Sequence, residues 1–132
     1  MKIAVLISRI LLGLGFTIFG LNILVPFLPV PPPAPGSPAL QFMMIAGPSH
    51  WMSVVGIFEL LGGLLVLLGG TAPLGLLLLA PVLVNIICFH ICLEGGDGIA
   101  PGVVFSILEL FLLYSYRNSF QSILTTKAKP QV

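Results

Sequence analysis

The stretch SHWMSVVGIFELLGGLLVLLGG, residues 49–70, decides how this chain is read. It is long enough to cross a bilayer at about 20 apolar residues per helix, and its one formally charged residue, Glu59, sits in the middle. A carboxylate at that depth is costly in lipid, by about 3 kcal/mol or more, unless it faces a protein interior, a counter-charge or water. Two other apolar runs carry an ionisable group in the same way, Arg9 in the first and Glu109 in the last. The three residues are therefore expected to face one another rather than lipid, and they are the first candidates for function.

Working outward, 58% apolar and 7% charged residues with a mean hydropathy of +1.18 describe an integral membrane protein. The 132 residues leave room for four crossings and no separate soluble domain. A formal charge of +1, without a basic face, excludes nucleic acid as a partner. Spans are expected at about 3–25, 49–70, 73–93 and 101–116. They are separated by a proline-rich outer loop at 26–48, a tight Gly69-Gly70-Thr71-Ala72-Pro73 turn and the breaker Glu94-Gly-Gly-Asp-Gly98. The expected fold is all-α, a transmembrane antiparallel four-helix bundle over 1–117, followed by a polar cytoplasmic tail at 118–132.

Lys2, Arg9, Arg117, Lys127 and Lys129 cluster towards the two ends, so both termini are expected on the cytoplasmic side. The first run is too long for a signal-peptide core and carries Arg9, so it is expected to stay as a span. Seven prolines between Pro26 and Pro38 predict a stiff extended strap. Residues 39–46 are too short to cross and are expected as a half-helix at the outer surface, serving as a connector in preference to a lid.

Arg9, Gly13, Phe16 and Gly20 form one helical stripe, Gly56, Glu59, Gly63 and Gly70 a second, and Gly102, Ser106, Glu109 and Tyr116 a third. Small residues let helices approach closely, so the charged stripes are also the expected packing faces. At about 1.5 Å per residue the three charges lie at similar depths, and Arg9 is expected to contact at least one glutamate. That leaves an excess acid, which is either neutralised or meets a ligand; a structural ion pair fixing helix register is the plainer alternative.

Asn22, His50, Asn85 and His90 form a second polar set nearer the outer surface. His50 reads as a helix-entry or interfacial residue beside Trp51, and His90 as an interhelical hydrogen bonder. Asn85, Cys88 and Cys92 share a helical face with Pro81, whereas His90 points away from it, which argues against a single cluster. Spacing of four residues on one helix suits neither a disulfide nor a metal site, so Cys88 and Cys92 are expected to be small core residues and no metal is expected.

Three segments, Arg9-Ile-Leu-Leu-Gly-Leu-Gly-Phe-Thr-Ile-Phe-Gly-Leu-Asn22, Gly56-Ile-Phe-Glu-Leu-Leu-Gly-Gly63 and Pro81-Val-Leu-Val-Asn-Ile-Ile-Cys-Phe-His90, resemble successive signatures of DoxX-family membrane proteins. The resemblance implies a multi-pass protein of the bacterial inner membrane. It also implies a role as an accessory or quinone-interacting subunit of a membrane redox system, with quinone as the one cofactor to consider. The chain carries no haem-attachment motif, iron–sulfur ligand set or nucleotide fingerprint, so no intrinsic redox centre is expected and electrons would come from a membrane-protein partner. The alternative is a purely structural or assembly subunit, gripping another membrane protein or a second copy of itself. Transport is a weaker third reading, since four spans without internal repeats offer little support for it.

Overall fold

The computed structural model describes residues 1–126 and contains five α-helices and one 3-10 turn, with no strand among the described residues. Lys127 and Lys129, on which part of the orientation argument rests, lie outside the described residues, as does the end of the expected tail. The helices are α1 (Lys2–Leu24), α2 (Pro38–Ala46), α3 (Trp51–Leu68), α4 (Ala72–Glu94) and α5 (Ala100–Ser115). α1, α3 and α4 are long and apolar enough to cross a membrane. α5 has 16 residues, a rise of about 24 Å, and is shorter than a full crossing usually requires.

Local chemistry explains the breaks. Asn22 ends α1 by turning its Oδ1 onto the backbone N–H groups of Phe27 and Leu28, at 2.8 and 2.7 Å, so the proline strap leaves the helix at a fixed angle. Ser37 caps α2 by accepting from the Leu40 N–H at 3.1 Å, with Pro38 as the first helical residue. His50 precedes α3 with φ +61°, a left-handed conformation in which histidine is one of the better tolerated residues. Gly69 (φ +78°) closes α3, and a side chain there would also meet the Arg9 guanidinium.

Packing runs α1 on α3, α3 on α4, α4 on α5 and α5 back on α1. The tightest seam joins α1 to α3 through the glycine stripes. A Cβ on Gly63 would lie 2.6 Å from the Thr17 nitrogen, and one on Gly20 would lie 2.5 Å from the Leu60 nitrogen. Gly75 makes the same close approach between α4 and α3 at the Gly62 carbonyl. Leu12 and Phe16 from α1, Val66 from α3, Leu76 and Leu79 from α4 and Leu112 from α5 are fully buried between the helices. Outward residues such as Leu11, Ile18, Leu61, Leu77 and Leu110 remain exposed, the arrangement expected of helices whose outer faces meet hydrocarbon.

After α5 the 3-10 turn Arg117–Phe120 returns Phe120 to the core, where it is buried. α2 lies against α4 and sets Phe42 edge-on to Phe89 at 5.8 Å between ring centroids.

Candidate functional site

A cavity of about 480 Å³ opens between α3 and α4 beneath α2. α2 supplies Phe42 and Met43; α3 supplies Trp51, Met52, Val55 and Glu59. α4 contributes two adjacent stripes, one with Asn85, Cys88 and Cys92 and the other with Val82, Ile86 and His90. The wall is mostly apolar and aromatic with a few polar groups, a composition and size usual for small-molecule sites.

Glu59 is 5% exposed, lines the cavity and makes no hydrogen bond or ion pair among the described residues. Gly20 of α1 lies directly behind it, and a Cβ there would be 2.9 Å from the Glu59 Cβ. The close α1–α3 seam therefore backs the acid on one side and leaves it the cavity on the other. Asn85 donates from Nδ2 to the Pro81 carbonyl at 3.1 Å, which fixes its side chain along the wall. His90 Nδ1 lies 2.5 Å from Glu94 Oε2 and 3.0 Å from the Asp97 carbonyl. Both partners are acceptors, so Nδ1 carries the proton and Nε2 is the nitrogen left over. The contact that His90 makes is thus to its own helix end and the following loop, not across to another helix as expected.

The charges do not form the expected network. Arg9 Nη2 donates to the Leu67 carbonyl at 3.4 Å, with the guanidinium against Gly69 at the carboxyl end of α3. No Arg9–carboxylate ion pair occurs among the described residues. The last carbonyls of a helix lack internal partners and form the negative end of its dipole, so Arg9 finds one acceptor there without an acid, while its Nε stays buried without a hydrogen-bond partner among the described residues. Glu109 is 3% exposed, and neither of its carboxyl oxygens has a partner among the described residues. It lies outside the cavity wall.

Asn22 is committed to the start of the strap and does not reach the cavity, and His50 is an exposed helix-entry residue. Among the expected site residues, then, the structure brings together Glu59, Asn85 and His90. His90 joins them because the cavity wraps far enough round α4 to take in the neighbouring Val82–Ile86–His90 stripe. Cys88 and Cys92 are exposed free thiols on the same wall rather than core residues. The aromatic residues Phe42, Trp51 and Phe89 were missed because each belongs to a different helix, and only tertiary packing gives them a common space. No group of three or more His, Cys, Asp or Glu side chains suited to a metal occurs among the described residues. Compared with family models, curated proteins and solved structures, the chain matches none.

Proposed function

We propose that this chain is a DoxX-like, multi-pass protein of a bacterial inner membrane, an accessory subunit that holds a quinone-like head group for a membrane redox partner. In this reading α5 crosses together with α1, α3 and α4, completing an antiparallel four-helix bundle with both termini in the cytoplasm. The observation that carries the reading is the cavity of about 480 Å³, apolar over most of its wall, with the Asn85 amide held on that wall by its bond to the Pro81 carbonyl. A ring with two carbonyls and an apolar tail suits such a wall, because its few acceptors need few donors and the rest of the molecule stays in hydrocarbon.

The one hydrogen bond of Arg9, from Nη2 to the Leu67 carbonyl at a helix end, supports the structural half of the alternative reading. Arg9 is therefore a packing residue in this proposal, and ligand contact is assigned to the cavity. Trp51 is the chain's single tryptophan and lines that cavity, so its fluorescence reports on occupancy. Full-length protein in nanodiscs, titrated with a short-chain ubiquinone analogue, should show saturable quenching that Asn85→Leu weakens. Linear, unsaturable quenching, or saturation untouched by that variant, would remove the quinone assignment and leave an assembly subunit.

A further inference from the structure

The cavity's electrostatics favour a ligand of one charge. Glu59 is 95% buried, since it is 5% exposed, and among the described residues it has no partner although it lines the space. Among the described residues no Lys or Arg lines the wall, Arg9 being held at the end of α3, and the His90 Nδ1–H is taken up by Glu94 and Asp97. The same wall carries three aromatic side chains, Phe42, Trp51 and Phe89, whose ring faces attract cations. We propose that this cavity binds a lipophilic organic cation, with Glu59 as the counter-charge and the three aromatic residues as its cage.

The chemistry narrows the class further. A primary ammonium brings three N–H donors, whereas the polar acceptors on this wall are few: the Glu59 carboxylate, the Asn85 amide oxygen and one His90 nitrogen. A quaternary ammonium or phosphonium centre, with its charge wrapped in apolar groups, needs no hydrogen bonds and fits an apolar, aromatic wall containing one acid. Such a molecule also partitions into the bilayer, from which a cavity between α3 and α4 is reached without passage through water. The site does not depend on the quinone assignment, because a neutral quinone makes no use of an uncompensated carboxylate.

The test uses full-length protein in nanodiscs and tetraphenylphosphonium as the probe, followed by calorimetry and by Trp51 fluorescence. Saturable binding is expected, weakened about tenfold or more by Glu59→Gln, largely retained by Glu59→Asp and unchanged by Glu109→Gln, whose position is outside the cavity. Neutral triphenylphosphine oxide should show no dependence on Glu59. Absence of saturable phosphonium binding, or equal affinity in Glu59→Gln and wild type, overturns the proposal. Should Glu59→Gln fail to fold, Phe42→Ala on the surface helix α2 takes its place, and unaltered phosphonium affinity there has the same force. The quinone analogue is titrated against the same samples. Quinone binding without phosphonium binding overturns this inference alone, while phosphonium binding without quinone binding keeps it and removes the redox reading.

Discussion

At the scale of the residue, the buried polar side chains Asn22 and Glu109 stand in opposite physical positions. Asn22 is 7% exposed and satisfies two backbone N–H groups of the strap, donors that otherwise lose their partner where the chain leaves α1. Asn22→Ala should therefore cost about 1–3 kcal/mol, seen as a lower midpoint in thermal unfolding of the detergent-solubilised protein. Glu109 has both carboxyl oxygens buried and unpartnered, an arrangement that costs free energy and returns none through any contact in the fold. Replacing it with an apolar side chain of similar length, Glu109→Met, should raise stability by about 1 kcal/mol in the same unfolding assay. A loss of stability instead would show that Glu109 has a partner that the isolated chain does not supply. That a buried acid existed at positions 59 and 109 was legible from the apolar runs around them; which of the two faces a cavity was not, because it depends on the neighbouring helices.

At the scale of the element, the helices begin and end within two residues of the apolar runs read from the sequence, because glycine, proline and the capping residues Ser37 and His50 interrupt hydrogen-bonding locally. The seam between α1 and α3 is where the fold tolerates least change. Gly20→Ala and Gly63→Ala both drive a methyl group into backbone atoms at 2.5 to 2.7 Å, which no side-chain rotation relieves. Each should destabilise by about 1–3 kcal/mol, whereas Gly70→Ala, with open space around its Cβ, should be close to neutral. Comparing the three unfolding midpoints checks this, and equal effects would mean that the seam is looser than the glycine contacts require. This seam was legible in the sequence, since small residues three or four apart let apolar helices approach closely. Gly70 shares the spacing but lies in the turn, with nothing near its Cβ position.

At the scale of the whole molecule, topology depends on α5. Three long helices place the two termini on opposite sides of a membrane, and a fourth crossing by α5 brings them back to one side. Tags at each end of the protein, probed by protease in sealed inverted vesicles, should be cut together; cleavage at one end only would mean that α5 lies on the surface. The cavity wall gives a second test. Cys88 and Cys92 are exposed beside Asn85 and His90, so a membrane-permeant maleimide should label both in the folded protein, and a bound cavity ligand should slow that labelling. Slow labelling equal to that of a core thiol, with the protein folded, would return the cysteines to the packing role expected from their spacing.

Sequence alone determined the membrane class, the helix positions, the glycine-lined packing faces and the presence of acids where lipid forbids them, since these follow from length, hydropathy and periodicity along a single chain. Tertiary structure decided how those charges are used. It sends Arg9 to the Leu67 carbonyl at the end of α3 instead of to an acid, and it lays α2 against α4 so that aromatic side chains from three helices line the same cavity as Glu59. No periodicity encodes that choice, because the partners are far apart in the chain and the acceptor that Arg9 finds is a backbone group every residue carries.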